Sequence, residues 1–534
     1  MTPVLTAAQM KACDTYTIEN LGIPSRALME RAARKAAEVL VARADLFPAG
    51  KVLLLCGSGN NGGDGFAMAR FLTDGSLAER REAAVVYAGA RTQAGEPDRT
   101  RMSPECLRQY ELAVAAGVPV LPMSAPEAAL RDVATVVDAV FGTGIDRPVE
   151  GDLARLLTVV AESGAPALAV DIPSGIHADT GAVMGVALPA ALTVTMQALK
   201  AGLLLYPGAD YCGELVVADL GISLASVRRP FARLADIRLL RRALPPRVRR
   251  SHKGTYGRVA LLCGSEGMSG AAVLATRAVL RSGVGLAETL TTTATRPILR
   301  ITVPEAIVTA RTSETIEKTL KSADGAIIGC GLGTDEEAYE SLRVALETLA
   351  TDGSAPVVLD ADGLNLLSNH PALWDTPLLA SPRKNVVITP HPAEMSRLCG
   401  LPVGEILRDL PSVALDFARK RGVTVVLKDA HTVIASPDGN LYICISGNAG
   451  LAKGGSGDVL AGIIGALLIQ NRARLNGDVS PSEIAAAGVY LHAAAADLAV
   501  QDRGEYGLLA TDVIDKIPLV CKDFSDSRTK MGRI

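Results

Sequence analysis

Aromatic residues are scarce in this chain of 534 residues: they make up 3% of it, and there is one tryptophan. Alanine, valine and leucine must therefore fill the hydrophobic core. No run of about 18 uninterrupted apolar residues occurs, which argues against a membrane-spanning helix. An excess of charge is lacking too, because 54 basic and 57 acidic residues leave a formal net charge of −3. That balance excludes a broad basic surface for nucleic acid or for an anionic membrane.

Paired cysteine motifs and a targeting segment are also absent from the sequence. The nine cysteines show no CxxC pair or other metal-ligand spacing, which favours buried free thiols in a reducing compartment. The first residues, MTPVLTAAQMKACDTYTIEN, have no basic start followed by an apolar segment, so we expect no signal peptide. These features predict a cytoplasmic protein, and the length predicts two or more domains.

Short apolar segments that end in glycine-rich or acidic turns recur along the chain, with helix-length segments between them. They begin with KVLLLCGSGNNGGDG, AAVVYAGA, VATVVDAVFGTG and APALAVDIPSG, and GELVVADLG follows as one of the last strands of its sheet. Continuous apolar strands of this kind indicate parallel strands covered on both faces. Their alternation with helices predicts an α/β fold with a doubly wound, Rossmann-like three-layer sandwich.

The pattern stops and then restarts near the middle of the chain. The segment DIRLLRRALPPRVRRSHKGTYG is rich in arginine and contains a proline pair, which fits either an exposed connector or a solvated helix followed by a turn. A second α/β series follows, with RVALLCGSEGMSG, GAIIGCGLG, APVVLDADGLN, NVVITPHPAEM and VTVVLKDAHTVIAS. We therefore predict a first domain over 1–225, a linker over 226–240 and a second domain over 241–534.

The turn after the first of these strands, CGSGNNGGDG, is the first candidate site. Its backbone amides can hold an anion, and its glycines permit positive φ and close approach of a ligand. Because loops at the carboxyl ends of parallel strands converge, Asp138, Asp171 and Ser174 could meet this turn. Taken singly, each carboxylate is more often a helix cap or a turn former.

Four motifs of the first domain carry a resemblance. NNGGDGF, VVDAVFGTGIDRP, AVDIPSG and TMQALKAGLLLYPGAD, which occur in this order over residues 1–222, resemble the NAD(P)H-hydrate epimerase family. The resemblance implies that the substrate contacts Asn60, Asn61, Gly62, Gly63, Asp64, Gly142, Thr143, Gly144, Ile145, Asp146, Arg147, Pro148 and Asp171. It also implies a potassium ion held by Asn61, Asp138 and Ser174.

Two residues of this domain are candidates for catalysis. Epimerisation of a hemiaminal-like carbon needs a dry pocket and an acid/base group, and Asp171 is the candidate for that group. Lys200 matches the lysine of the family's KxG segment and is expected to face the site. The alternative is an ordinary surface lysine.

The second candidate site is GNAGLAKGGSGDVLAGIIGALL, a glycine turn that leads into an apolar helix. The first amides of that helix form an anion hole suited to a transferring phosphoryl group. Asp458 stands at the helix start, where its carboxylate can accept the proton of an attacking hydroxyl. The alternative is a helix that Asp458 merely caps.

This GxGD turn resembles the ribokinase-like superfamily, in which the aspartate is the catalytic base. With SHKGTYGRVALLCGSEGMSGA, GCGLGTD, LDADGLNLL, TPHPAEMSRL and KDAHT, residues 235–520 resemble its NAD(P)H-hydrate dehydratase branch. The resemblance implies a ribokinase-like three-layer sandwich. It implies substrate contacts at Ala271, Gly333, His391 and Asp458. It implies ADP contacts at Lys428, Asp429, Ala430, His431, Thr432 and Gly457.

The two resemblances together predict bifunctional repair of NADHX and NADPHX, the hydrates of NADH and NADPH. One domain would interconvert the R and S epimers. The other would dehydrate the S form, with ADP as phosphoryl donor and AMP and phosphate as products. Magnesium is expected to neutralise the phosphates, although the sequence shows no dedicated carboxylate cage. ADP rather than ATP is inferred from the fused, bacterial-type arrangement of the domains.

Some features depart from the family pattern or leave alternatives open. Asp429, Ala393 and Cys330 stand where the family usually has glycine, glycine and proline, and Asp429 adds a charge near the nucleotide. His391, between two prolines, is alternatively a structural turn residue. A kinase with a stable phosphorylated product is the main rival function, and a non-catalytic binding module is the second. No interface signature is visible, so a homo-oligomeric state stays open.

Overall fold

The computed structural model describes residues 1–381, 385–475 and 477–529. The chain divides into two compact units, Thr2–Ala232 and Arg233–Ile534. Each unit contains a mainly parallel sheet with helices between its strands. The predicted α/β class is therefore confirmed.

The first unit alternates strands and helices from Lys51 onward. Its strands are β1 (Pro3–Leu5), β2 (Lys51–Cys56), β3 (Ala83–Tyr87), β4 (Val120–Leu121), β5 (Val133–Ala139), β6 (Ala167–Val170), β7 (Leu192–Met196), β8 (Leu199–Lys200) and β9 (Glu214–Ala218). Its helices are α1 (Ala7–Glu19), α2 (Ser25–Ala42), α3 (Asn60–Thr73), α4 (Pro104–Ala115), α5 (Pro126–Ala129), α6 (Gly151–Glu162) and α7 (Ala209–Cys212). The predicted strands of this domain all form.

The main sheet of the first unit runs β4-β3-β2-β5-β6-β7-β9 and is parallel throughout. Alternate residues of β2 enter two different cores: Leu54 packs in one, and Leu53 and Leu55 pack in the other. This alternation follows from the two-residue period of a strand and makes the unit a three-layer sandwich. The strand order reverses between β2 and β5, which is where ligands bind in such sheets.

The second unit repeats the alternation with more helices. Its strands are β10 (Ala232–Leu234), β11 (Arg258–Leu262), β12 (Leu286–Thr291), β13 (Ile307–Ala310), β14 (Gly325–Ile328), β15 (Val357–Leu359), β16 (Val386–Ile388), β17 (Thr424–Leu427), β18 (Thr432–Ala435) and β19 (Leu441–Cys444). Its helices are α8 (Ile237–Ala243), α9 (Ser269–Arg281), α10 (Thr295–Thr302), α11 (Ser313–Ser322), α12 (Glu336–Leu349), α13 (Asp362–Asn369), α14 (Pro377–Ala380), α15 (Pro392–Cys399), α16 (Val403–Arg408), α17 (Leu410–Arg421), α18 (Ser456–Gln470), α19 (Pro481–Gly507) and α20 (Ala510–Thr529).

The sheet of the second unit runs β13-β12-β11-β14-β15-β16-β17-β18-β19-β10. The strands from β11 to β17 are parallel, whereas β18 is antiparallel to both β17 and β19. The segment VTVVLKDAHTVIAS of the predicted series is a hairpin whose turn is KDAH.

The residues predicted as a linker, 226–240, contain regular structure. Strand β10 lies within them and pairs with β19, so that Arg233 is the partner of Tyr442. Helix α8 begins at Ile237 and buries Leu239 and Leu240 in the core of the second unit. The arginines of α8 are exposed, so for the segment that starts at DIRLL the alternative of a helix followed by a turn describes the structure better than an exposed connector.

Helix α19 is long and apolar enough, by length and composition, to cross a membrane. However, 67% of its apolar stretch is buried inside the protein. It packs against α8, α18 and α20, and small residues such as Ala485, Ala486 and Ala496 let those helices approach closely. Its apolar character is that of a core helix.

Candidate active sites

The turn after β2 is shorter than the sequence suggests, because α3 already begins at Asn60. Three of the five motif glycines therefore lie inside the helix, and none of the five has positive φ. Their role is close packing: a Cβ on Gly62 would lie 1.9 Å from the carbonyl oxygen of Gly57. A Cβ on Gly65 would lie 2.6 Å from the sulfur of Cys56. The prediction of positive φ was wrong here, and the close approach of a ligand stays a prediction.

The three residues predicted to hold potassium lie around the backbone of Phe141. Asn61 donates from Nδ2 to the Phe141 carbonyl at 2.8 Å, and the Phe141 amide donates to Ser174 Oγ at 2.9 Å. Ser174 in turn donates from Oγ to Asp138 Oδ1 at 2.5 Å and from its amide to Oδ2 at 2.7 Å. Adjacent strand ends explain the convergence, because Asp138 lies in β5, Asn61 follows β2 and Ser174 follows β6.

The chemistry of this group fits a monovalent cation. Asp138 is fully buried, and burial raises its pKa to about 6 against the two hydrogen bonds from Ser174 that lower it. A cation would stabilise the charged form of such a carboxylate. Carboxylate, hydroxyl and amide oxygens are hard ligands that suit an alkali or alkaline-earth ion.

Asp171 stands directly after β6 and adopts φ of +69°, a conformation that aspartate and asparagine tolerate better than most residues. Its Oδ1 accepts hydrogen bonds from Lys200 Nζ at 2.6 Å and from the Met196 amide at 3.2 Å. A Cβ on Gly142 would lie 3.3 Å from Asp171 Oδ2, so this second oxygen faces the loop that was predicted to contact substrate. Asp171 thus has one oxygen held by the protein and one directed toward the candidate site.

Lys200 is completely buried, so the alternative of a surface lysine was wrong. Its ammonium group also donates to Thr195 Oγ1 at 3.0 Å and to the Met196 carbonyl at 2.8 Å. With Asp171, these acceptors occupy all three of its N–H donors. The geometry therefore does not support the predicted direct catalytic contact of Lys200 with substrate. It makes Lys200 the residue that positions Asp171.

Two further carboxyl groups lie near the Asp171–Lys200 pair. Burial raises the pKa of Asp14 to about 6, with the Lys200 charge lowering it and the Asp171 charge raising it. Burial also raises the pKa of Asp64 well above its usual range, together with the charges of Asp171 and Asp14. One buried ammonium thus stands among three carboxyl groups, and burial raises the pKa of two of them, Asp14 and Asp64.

The loop predicted to contact the substrate, 142–148, is only partly oriented for that role. Ile145 is buried in a hydrophobic core, so its side chain does not face a ligand and the prediction was wrong for that side chain. Gly144, Asp146, Arg147 and Pro148 are exposed. Asn60 is also exposed and accepts a hydrogen bond from Ser103 Oγ at 2.7 Å.

We expect Lys200→Met to damage the first site in both stability and rate. Removing one partner of a buried ion pair costs about 3–5 kcal/mol of unfolding free energy. Asp171 would lose the contact that orients it, so epimer interconversion should slow by about a hundredfold, as small misplacements of catalytic groups do. Thermal unfolding and chromatography of the two hydrate epimers measure these effects. Lys35→Met, which breaks an exposed pair with Glu38, is the matched control and should change neither.

The second site is built from the carboxyl ends of adjacent parallel strands. Cys330 follows β14, Asp360 follows β15, Thr389 follows β16 and Lys428 follows β17. Asp360 Oδ1 accepts hydrogen bonds from Thr389 Oγ1 at 2.7 Å and from Lys428 Nζ at 3.0 Å. Asp360 Oδ2 lies 4.0 Å from the sulfur of Cys330. Asp360 is fully buried. It links Lys428, which is predicted to contact ADP, to the carboxyl ends of the neighbouring strands.

The glycine turn before α18 requires its glycines in a way that the first turn does not. Gly455 adopts φ of +95°, and a Cβ there would lie 2.5 Å from Leu274 Cδ1. A Cβ on Gly457 would lie 3.5 Å from Lys428 Nζ, which places the first turn of α18 beside the Lys428–Asp360 pair. The amides of that turn and the lysine ammonium thus face the same region, as an anion site requires.

Asp458 lies in this first turn of α18. Burial and the neighbouring charge of Asp360 raise its pKa to about 6, whereas the Cys330 thiol and the Lys428 ammonium lower it. A carboxyl group that titrates near neutral pH is matched to general-base catalysis. The structure thus gives Asp458 both the place and the proton affinity that the predicted role needs.

Cys330, Asp360 and Asp458 form a group whose three ligand atoms lie within 4.8 Å of one another. The two carboxylates are suited to magnesium, whereas a thiol is a soft ligand that magnesium does not prefer. This pair of carboxylates was not visible in the sequence, because Asp360 and Asp458 are far apart along the chain. Of the departures from the family pattern, Cys330 is the one that lies against the candidate base.

His391 is the N-cap of α15, so the alternative of a structural turn residue describes part of its role. Its Nδ1 accepts from the amides of Ala393 at 3.1 Å and Glu394 at 3.3 Å. The His391 amide donates to Glu394 Oε2 at 2.8 Å, and the same oxygen lies 3.7 Å from Lys428 Nζ. Burial lowers the pKa of His391. Its side chain is 47% exposed, and its Nε2 lies 3.5 Å from Glu394 Oε1. The substrate contact of His391 stays a prediction.

The other predicted contacts of the second unit surround the same strand ends. Ala271 lies in the first turn of α9 after β11, and the Gly333 amide donates to Asp362 Oδ2 at 2.9 Å. Asp429, Ala430, His431 and Thr432 form the turn and first residue of the β17–β18 hairpin, with Thr432 buried. Their contacts with nucleotide stay predictions.

Asp360, Glu394 and Asp14 were missed as site residues. Asp360 follows a short apolar strand in VVLDADG, which is the same pattern that identified Asp138 and Asp171. Glu394 is the third residue of a helix capped by His391, a recognisable capping pattern. Asp14 lies within a helix without any motif, and only tertiary structure brings it near Lys200.

Comparisons with known proteins cover both units. A family model described as NAD(P)H-hydrate dehydratase matches residues 259–519, and one described as YjeF-related protein N-terminus matches residues 25–202. A crystal structure of the ADP/ATP-dependent NAD(P)H-hydrate dehydratase from Bacillus subtilis, co-crystallised with ATP and Mg²⁺, is 32% identical with a TM-score of 0.47. The match covers 55% of this chain and 99% of the Bacillus subtilis chain.

Relatives of full length show the same pairing of domains. The bifunctional NAD(P)H-hydrate repair enzyme Nnr of Coxiella burnetii is 36% identical over 96% of this chain and 98% of its own length. The enzyme of the same name from Escherichia coli K12 is 36% identical over 93% of this chain and 90% of its own length. The enzyme of the same name from Moorella thermoacetica is 35% identical over 98% of this chain and 97% of its own length. The chain belongs to the family of bifunctional NAD(P)H-hydrate repair enzymes.

Proposed function

We propose that this protein restores hydrated NADH and NADPH in two steps, one in each unit. The first unit interconverts the R and S epimers of the hydrate, and the second dehydrates the S epimer with ADP as phosphoryl donor. Two activities are needed together because both epimers form spontaneously, whereas the dehydratase accepts one.

The observation that carries this proposal is the position of Asp458. It stands in the first turn of α18, beside Lys428 and Asp360, and its pKa of about 6 leaves it ionised at neutral pH. A base, a cation and a helix N-terminus at one place are the parts that phosphoryl transfer needs. A nucleotide-independent lyase would need none of the anion-binding parts.

In the second unit, Asp458 takes the proton of the substrate hydroxyl while the oxygen attacks the terminal phosphorus of ADP. The bond to AMP breaks as the new bond forms, and the amides of α18 stabilise the charge on the phosphoryl oxygens. The ring nitrogen then donates its electron pair, phosphate leaves and loss of a neighbouring proton restores the dihydronicotinamide. Phosphorylation is required because hydroxide is a poor leaving group at neutral pH.

In the first unit, Asp171 is the acid/base group, held by Lys200 with one oxygen directed to the loop at Gly142. Asp64, whose pKa is raised by burial and by its acidic neighbours, contacts the substrate beside Asp171. Asn61, Asp138 and Ser174 would hold potassium, which supplies a fixed positive charge that keeps Asp138 ionised. Asp360 would hold magnesium, which supplies charge neutralisation for the phosphates, and Asp458 stays free to take the proton.

Mixing each hydrate epimer with the full-length protein and ADP, ATP or no nucleotide tests the proposal. Recovery of reduced-nicotinamide absorbance, with AMP and phosphate formed in equal amounts, is the result expected with ADP. A stable phosphorylated product without recovered absorbance would instead indicate the rival kinase. Recovery at the same rate without any nucleotide would contradict the dehydratase proposal.

A further inference from the structure

The carboxyl ends of β14 and β15 and the first turn of α18 bring three metal-binding side chains together. Cys330 Sγ, a carboxylate oxygen of Asp360 and a carboxylate oxygen of Asp458 lie within 4.8 Å of one another. Among the described residues, no other three histidine, cysteine or acidic side chains place their ligand atoms so close. The proposed repair reaction uses both carboxylates and gives no role to the thiol.

Asp360 is oriented so that one of its oxygens faces this group. Thr389 Oγ1 and Lys428 Nζ donate to its Oδ1 at 2.7 Å and 3.0 Å, and outer contacts of this kind orient a metal ligand. Among the described residues, Oδ2 accepts only from the Cys330 thiol, at 4.0 Å, although Asp360 is 1% exposed. A thiol is a weak donor, whereas a buried carboxylate oxygen normally has a strong partner or binds a metal. Oδ2 therefore points to a bound cation.

The sulfur ligand decides which cation this group prefers. Magnesium takes oxygen ligands in near-octahedral geometry and keeps several waters. A thiolate selects softer ions such as zinc, which three protein ligands bind tetrahedrally with one position left open. At ordinary zinc–sulfur and zinc–oxygen bond lengths, two ligand atoms on one zinc ion lie about 3.5 Å apart, so the three atoms need shifts of about 1 Å. Asp458 is partly exposed, which gives an ion access to the group.

We propose that Cys330, Asp360 and Asp458 form an inhibitory site for a thiophilic divalent cation such as zinc. The ion displaces the thiol proton to solvent, binds the thiolate and the two carboxylates, and takes water as its fourth ligand. Asp458 then cannot accept the proton of the substrate hydroxyl, and Asp360 is no longer free for magnesium. The inhibition rests on the proposed dehydratase function, whereas binding of the ion does not.

Cadmium ion added to the full-length protein without nucleotide tests the binding. Cadmium shares the ligand preferences of zinc, and its bond to a thiolate gives a charge-transfer absorbance in the ultraviolet. We expect this absorbance in the wild type and its loss, by one thiolate per chain, in Cys330→Ser. Cys444→Ser, which changes an equally buried cysteine of β19, is the matched control and should keep the full absorbance. No absorbance in the wild type, or equal absorbance in the wild type and Cys330→Ser, would overturn the inference.

Inhibition of dehydration by zinc tests the consequence. With ADP and magnesium present, and with free zinc fixed by a metal buffer, zinc should inhibit the wild type. Cys330→Ser should need about tenfold to a hundredfold more zinc, a loss of affinity that even an outer-shell substitution causes. Each rate is compared with that of the same protein without zinc. Equal zinc sensitivity of the two proteins would contradict the inference. Dehydration that needs no nucleotide would instead overturn the proposed function, and the cadmium titration would still test the site.

Discussion

Asp458→Asn is expected to abolish nucleotide-dependent recovery of both hydrate epimers. The substitution keeps the size of the side chain at the start of α18 but removes the base that takes the hydroxyl proton. Loss of a general base costs about 10²–10⁴ in rate, and no other carboxylate can replace it, because Asp360 is bound to Lys428 and Thr389. Both epimers are affected, since the R form can be repaired only through the S form.

The pH profile of the wild-type enzyme should also show that dehydration depends on the Asp458 carboxylate. Asp458 must be ionised to act, and its pKa is raised to about 6. The value of kcat/KM for dehydration should therefore be nearly constant above pH 7 and fall about tenfold for each pH unit well below 6. An activity that rises as the pH falls through this range would contradict a carboxylate base.

Controls for Asp458→Asn come from both units. Interconversion of the epimers in the first unit should continue at the wild-type rate, which shows that the variant protein is folded there. Asp409→Asn changes a carboxylate that caps α17 through the Ser412 amide, and dehydration should be unchanged. Dehydration by Asp458→Asn at the wild-type rate would remove Asp458 from the mechanism.

Strand patterns predicted the two sheets well because a buried parallel strand has a strong local signal. KVLLLC, VATVVDA and GAII become β2, β5 and β14 within their predicted bounds. The same reasoning placed Asp138, Asp171 and Ser174 at strand ends that converge, since convergence follows from parallel order alone. Sites at strand ends are therefore the predictable part of such a fold.

What the sequence did not reveal depends on contacts between distant segments. Gly62 is required by the carbonyl of Gly57 in the same turn, and helix geometry, not positive φ, sets that requirement. Burial of Lys200 could not be predicted, because its acceptors belong to a turn whose shape is tertiary.

The second large effect is expected for Asp171→Asn, and it should differ between the epimers. Asparagine tolerates the φ of +69° at this position, and its amide oxygen can accept from Lys200 and the Met196 amide as the carboxylate does. The local structure should therefore persist while the acid/base group is lost. With ADP present, the S epimer should be repaired at the wild-type rate, because the second unit is untouched. The R epimer should be limited by spontaneous interconversion.

Two progress curves, each started from one pure epimer, measure this difference. The curve started from the S epimer should superimpose on that of the wild type. The curve started from the R epimer should slow to the rate of spontaneous interconversion. Asp152→Asn, which changes an exposed carboxylate in the first turn of α6, should leave both curves unchanged. If both epimers recovered equally fast in Asp171→Asn, the base for epimerisation would have to be another group.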